Sequence, residues 1–105
     1  MLSVNQNNFK QEVLDYKGVV FVDFYADWCG PCRITGPIIE EVSQEKPEIK
    51  FIKINVDQNP DLTSQYSISS IPSFVIFKEG QPVHQFTGGM GKENFLEEIK
   101  KATNA

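Results

Sequence analysis

The two cysteines of the chain, Cys29 and Cys32, stand in "WCGPC" immediately after its only tryptophan, Trp28. Thiols at this spacing can trade an electron pair as a disulfide, supply part of a metal site, or form a structural crosslink. A crosslink closing so short a loop contributes only about 2 kcal/mol by the loop-entropy relation, and a domain of this size hardly needs it. Zinc asks for four ligands, yet there is no third cysteine, and the single histidine, His84, falls on a predicted hairpin without a companion. His84 therefore reads as an ordinary strand residue, and no metal is expected. Redox chemistry is favoured, although a CxxC spacing alone is a weak signal that takes its weight from the surrounding elements.

Those elements follow from the hydrophobic pattern. "VVFVDFYA" is a continuous β-branched and aromatic run after Gly18, which predicts a central strand covered on both faces, with Asp23 inside the core layer. From Pro31 the pattern turns helical, with Ile34, Ile38 and Val42 at i, i+4 and i+8, and runs to about Glu45 before Pro47; Pro37 should kink it. Upstream, "LSV" predicts a short strand and "NQNNFKQEVLD" a helix with Phe9, Val13 and Leu14 inward. Downstream, "IKFIKINVD" is a second central strand and "NPDLTSQYSI" a short helix entered at Asn59-Pro60. "SFVIFKEGQPVHQFTG" predicts two strands turning at Glu79-Gly80, with Pro82 suited to an edge, and "KENFLEEIKKAT" an amphipathic helix with Phe95, Leu96 and Ile99 inward. This order describes one α/β domain over residues 1–105, with the first three strands parallel and the last two antiparallel in a single mixed sheet flanked by helices.

The cysteines thus fall where a central strand ends and a helix begins, the place where open α/β sheets put functional sites. Free N–H groups and the macrodipole at a helix N-terminus favour a thiolate at Cys29. Cys32 shares its helical face within disulfide reach and points inward. Gly30 permits close approach of a substrate, Pro31 fits the first turn where a missing N–H costs nothing, and Trp28 offers a flat apolar wall.

Composition narrows the function classes. Ten Lys and Arg against 14 Asp and Glu, a net charge of −4, do not make the dense basic face that nucleic acid needs. With 40% hydrophobic residues and no low-complexity segment the chain is globular. The start "MLSVNQNNFK" lacks a basic region followed by an apolar run, so neither export nor membrane anchoring is expected, and a reducing, cytoplasmic setting suits a chemical rather than structural cysteine pair.

"FVDFYADWCGPCRITGPIIEEV", with "KINVDQNP", "SIPSFVIFKEG" and "FTGG" at the expected intervals, resembles the thioredoxin family over essentially the whole chain. The resemblance implies a five-stranded mixed sheet in the order 1-3-2-4-5 with four helices. It also implies a monomeric disulfide reductase with no bound cofactor beyond its redox-active Cys29–Cys32 disulfide, acting on disulfide-containing proteins and recharged by an NADPH-dependent, flavin-containing thioredoxin reductase. Carried over residue by residue, Cys29 resembles the exposed nucleophile, Cys32 the buried resolving thiol, and Asp23 the buried carboxylate that deprotonates Cys32 through water, with a raised pKa. Lys53 matches the lysine that tempers this carboxylate, and Asp57 is placed to accept the Trp28 indole N–H. Ile71, Pro72, Thr87 and Gly88 resemble the rim of the groove where an extended substrate pairs with backbone, and the Ile71-Pro72 bond is expected to be cis. Departures from the common family pattern are Tyr25, Arg33, Gly36 and Ser73; none touches the dithiol, and they bear on redox tuning and partner preference. Two other functions stay open at this stage: a binding subunit, and an oxidase or isomerase in an oxidising compartment. Gly-Pro between the cysteines and the absence of an export signal favour the reductase.

Overall fold

The computed structural model describes residues 1–103. Five strands, β1 (Leu2–Ser3), β2 (Val19–Tyr25), β3 (Lys50–Asn55), β4 (Ser73–Lys78) and β5 (Gln81–Thr87), form one sheet in the order β1-β3-β2-β4-β5. β1 and β2 both run parallel to β3, while β4 is antiparallel to β2 and to β5. Three α-helices, α1 (Gly30–Glu45), α2 (Pro60–Gln65) and α3 (Lys92–Thr103), and one π-type helical turn, Lys10–Leu14, complete the expected four.

Sequence chemistry accounts for the connections. Asn5 and Asn8 cap each other at the entry to the first helical turn: Asn5 Oδ1 accepts from the Asn7 and Asn8 amides at 2.8 and 3.1 Å, and Asn8 Oδ1 from the Asn5 amide at 2.8 Å. The turn is wider than an α-helix, closing Asp15 N–H onto Lys10 C=O. Phe9 and Val13 are buried as expected, but Leu14 is rotated into solvent. The β4–β5 turn has positive φ at both Glu79 and Gly80, as a two-residue primed hairpin turn requires. A Cβ on Gly80 would also overlap the Leu14 carbonyl oxygen, so glycine is needed there twice over. Pro82 does sit on the edge strand, where a bulge at Val83 shifts the register from Ile76↔His84 to Phe77↔Pro82.

Strand alternation splits the core into two layers. Val20, Val22 and Phe24 of β2 face a cluster with Phe9, Val13 and Leu62, whereas Phe21 faces Ile39 and Val42 of α1 and Phe95 and Ile99 of α3. Phe21, Phe74 and Phe95 meet with ring centroids 5.1–6.2 Å apart. By the same alternation Asp23 belongs to the Phe21 side of the sheet, the side that α1 covers. The inward face of α1 differs from expectation: Cys32, Thr35, Ile39 and Val42 are buried, Ile38 is half-buried, and Ile34 is 70% exposed.

Candidate active site

The chain leaves β2 at Tyr25 and folds back at once, with Cys29 N–H donating to Ala26 C=O at 3.2 Å. Cys29 is the N-cap of α1 rather than a member of its first turn. Its Sγ accepts the Cys32 amide at 3.2 Å, so one of the orphan N–H donors of the helix terminus is aimed at the sulfur that would carry negative charge. Gly30 and Pro31 are the first two helical residues, and Pro31 occupies a position whose N–H has no helical partner to lose. Cys29 and Cys32 are joined as a disulfide, with Cα atoms 5.2 Å apart.

One expectation fails here. Cys29 is not the exposed member of the pair: it is 3% exposed and Cys32 8%. Tyr25, Val56 and Ile71, from three separate segments, pack on the cluster of Ala26 and the two cysteines, so the departure at Tyr25, expected to stand clear of the dithiol, borders its cluster instead. Trp28, by contrast, is 66% exposed, its Nε1–H donating to Asp57 Oδ2 at 2.8 Å. Asp57 is itself held by Asn55, a buried residue that pattern reading passed over. Asn55 Oδ1 accepts the Asp57 amide at 2.9 Å and the Gln58 amide at 3.3 Å in an Asx turn, while Val56 N–H ties the same loop to Tyr25 C=O at 2.9 Å. The signal was present in "NVDQN", an Asn two residues before Asp at a strand end.

Behind the dithiol, Asp23, Cys32, Lys53, Arg33 and Glu40 line one cavity of about 320 Å³. Asp23 is buried, and its Oδ1 has no hydrogen-bond partner. Burial pushes its carboxyl up from 3.8 to about 7, against the pull of the Lys53 charge. Lys53 is the direct register partner of Asp23 across β2 and β3, and its Nζ lies 5.4 Å from the Tyr25 ring centre. The lysine thus acts on Asp23 through space. Arg33 Nε donates to Asp27 C=O at 3.1 Å, fixing the cavity rim.

On the other side of the cysteines, the Ile71-Pro72 peptide is cis. β4 begins only at Ser73, so the peptide groups of Ile71 lie outside the sheet ladder. Pro72 C=O accepts from Gly88 N–H at 2.9 Å, Gly88 has φ +97°, and Thr87 pairs with Ser73. Ile71, Pro72, Thr87 and Gly88 are therefore contiguous. Thr35 is a further residue that the sequence reading missed: it is buried in α1, and its hydroxyl donates to Pro31 C=O and Cys32 C=O at 3.1 and 3.2 Å. Threonine at an inward helical position usually satisfies its hydroxyl in this way.

A disulfide-forming cysteine pair at a helix N-terminus, with a buried carboxyl on the adjoining central strand, defines a thiol–disulfide oxidoreductase of α/β architecture. Residues 1–101 match the family model described as Thioredoxin. The chain is 46% identical over 99 residues to Thioredoxin 1 of Nostoc sp., covering 93% of this chain and 92% of that one. It is 43% identical over 99 residues to Thioredoxin of Synechocystis sp., with 93% and 92% covered. Against the chloroplastic M-type thioredoxin of Chlamydomonas reinhardtii it is 39% identical over 103 residues, covering 97% of this chain and 74% of the relative. The chain belongs to the thioredoxin family.

Proposed function

We propose that this chain reduces disulfides of protein substrates and is recharged by an NADPH-dependent, flavin-containing thioredoxin reductase. The observation that carries the reading is the shared cavity of Asp23 and Cys32: a carboxyl with a raised pKa lines the same space as the residue whose thiol must lose a proton. In the reduced protein the Cys29 thiolate attacks one sulfur of a substrate disulfide. A mixed disulfide forms and the first substrate thiolate leaves. Asp23, as carboxylate, takes the proton of Cys32 through a water in the cavity. The Cys32 thiolate then displaces the second substrate thiolate from Cys29 Sγ. The chain ends as the Cys29–Cys32 disulfide: two electrons have passed to the substrate, whose two thiolates take up protons from solvent, and Asp23 releases the Cys32 proton to solvent. Lys53 limits how far burial raises the Asp23 pKa. Trp28, held by Asp57, with Gly30, Pro31, Ile71, Pro72, Thr87 and Gly88, supplies the surface on which an extended substrate segment lies.

In this proposal the protein works as a monomer, a single domain in the cytoplasm, without a bound cofactor. In support, no described helix is long and apolar enough to cross a membrane. The net charge of −4 also speaks against a nucleic-acid partner. Insulin reduction with NADPH and a thioredoxin reductase tests the whole cycle: NADPH consumption that depends on this chain supports it. Insulin reduction with a chemical dithiol but none with reductase would reassign the electron donor.

A further inference from the structure

Of the positions that depart from the common family pattern, Tyr25 stands where it can govern the charge beside Asp23. Two residues beyond Asp23 on β2, it lies on the same side of the sheet by strand alternation. It is fixed from two directions: its carbonyl accepts the Val56 amide at 2.9 Å, and its side chain packs on the cluster of Ala26 and the cysteines. Lys53 Nζ lies over the Tyr25 ring, 5.4 Å from its centre, within the range of a cation–π attraction. Tyr25 and Lys53 also line both the Asp23 cavity and a smaller pocket of about 120 Å³ that Ser3, Asn5, Asn55 and Gln58 make polar. The ring and the lysine therefore form the wall between the two spaces.

Electrostatics alone would draw the ammonium elsewhere. Lys53 is the register partner of Asp23, and a flexible lysine stem beside a poorly hydrated carboxylate readily closes an ion pair. Lys10, Lys50, Lys92 and Lys101 each form a salt bridge with a carboxylate. Among the described residues Lys53 forms none, and Asp23 Oδ1 has no partner. The other charges that line the cavity are engaged or of like sign. Glu40 pairs with the Met1 ammonium at 2.8 Å, Arg33 Nε is tied to the Asp27 carbonyl, and the Asp27 carboxylate repels rather than attracts Asp23. Cys32 is bound in the disulfide. Lys53 is thus the cation around Asp23 that only the ring holds. We infer that Tyr25 is a positioning residue: its ring keeps the Lys53 ammonium off the Asp23 carboxylate, leaving that carboxylate without an ion pair and available to take the Cys32 proton. A closed pair would favour the ionised carboxylate and make it a weaker base. The inference rests on the disulfide-exchange function proposed above.

The test titrates the carbon-13-labelled Asp23 carboxyl by NMR in the disulfide form, where neither cysteine titrates and no substrate is needed. Tyr25→Leu removes the ring, and the Asp23 midpoint should fall by roughly one pH unit or more, as a carboxylate meeting a nearby cation does. Tyr25→Phe keeps the ring and should keep the midpoint. With Lys53→Met already in place, Tyr25→Leu should no longer lower it, because the ring acts through the lysine. An unmoved midpoint in Tyr25→Leu would overturn the inference. So would the same fall in the Lys53→Met background, which would mean that losing the ring merely hydrates the cavity, or a fall in Tyr25→Phe as large as in Tyr25→Leu, which would assign the effect to the hydroxyl. If Tyr25→Leu does not fold, wild type still decides: the Lys53 Hε protons should resonate upfield in the ring current, and unshifted resonances would overturn the inference. Insulin reduction separates the two readings. A wild type that reduces no insulin would refute the function proposed above, while the Asp23 midpoints would still decide the part played by Tyr25.

Discussion

Replacing Asp23 with Asn should stabilise the fold by an amount that grows with pH. A carboxyl neutral in the folded state and ionised in the unfolded chain favours unfolding over the interval between its two pKa values. For Asp23 that interval runs from 3.8 to about 7, set by burial first and moderated by Lys53. Below about 3.8 the group is protonated in both states and costs nothing extra. Stability is then lost progressively up to about 7, and above that both states are ionised and the penalty is constant. At about 1.4 kcal/mol per pH unit the full penalty is roughly 4 kcal/mol. The side chain is buried with one oxygen unpartnered, so little solvent screening reduces it. Asn is nearly isosteric with the protonated acid, so the variant should match wild type near pH 4 and exceed it by roughly 4 kcal/mol at pH 8. Urea unfolding of the disulfide form across this range measures the difference. A gain that is the same at both ends would show that Asp23 ionises alike in folded and unfolded chains, and the buried-base argument would collapse.

Cys29→Ser should abolish disulfide reduction, whereas Cys32→Ser should accumulate mixed disulfides with substrate, visible by mass spectrometry; normal turnover by Cys32→Ser would refute the two-thiol sequence. Lys53→Met removes the charge that holds the Asp23 pKa down, so the pH profile of reduction should move to higher pH and the rate near neutrality should fall several-fold. A profile that stays in place would deny the through-space coupling. Gly80→Ala should destabilise the fold by roughly 1–3 kcal/mol, because it forces a left-handed residue against the Leu14 carbonyl. Gly36→Ala, in a helix with open space around the new methyl, should instead stabilise by about 0.5–1 kcal/mol, both effects being read from urea midpoints.

Much of the fold was legible because local chemistry and global topology agree. "VVFVDFYA" has only one chemically sensible place, the middle of a two-sided sheet, and Glu79-Gly80 only one sensible turn. Where the pattern was degenerate it misled. Ile34, Ile38 and Ile39 put apolar residues on more than one side of α1, and periodicity alone could not tell that packing selects Ile39 with Thr35 while Ile34 faces out. Leu14 points out because the wide helical turn preceding it spreads the 3.6-residue repeat. Nor did the resemblance foretell that Cys29 is buried: of the residues packed on the cysteine cluster, Tyr25 is close in the chain, but Val56 and Ile71 come from segments that meet it only when the sheet is assembled. Ile71 and Pro72 meet Thr87 and Gly88 for the same reason, through the Pro72–Gly88 bond at the end of the β4–β5 ladder.

The placement of Asp23 ties the fold to the chemistry. On an edge strand the carboxyl would be hydrated and keep a pKa near the ordinary 3.8, too weak a base for a thiol whose own value is about 8.5. In the proposed mechanism it needs a value close to neutrality, and only a strand paired on both sides and covered by a helix removes enough water to raise it that far. β2 is that strand, with β3 and β4 as its neighbours and α1 above it. The same strand then runs directly into the turn that sets Cys29 at the N-cap of α1 and Cys32 in its first turn, so one continuous segment carries both the base and Cys32, the thiol that it serves. The energetic cost of Asp23 is carried at the centre of the molecule, where apolar packing on both faces of β2, Phe21 on the Asp23 side and Val22 and Phe24 on the other, offsets a carboxyl whose Oδ1 has no hydrogen-bond partner.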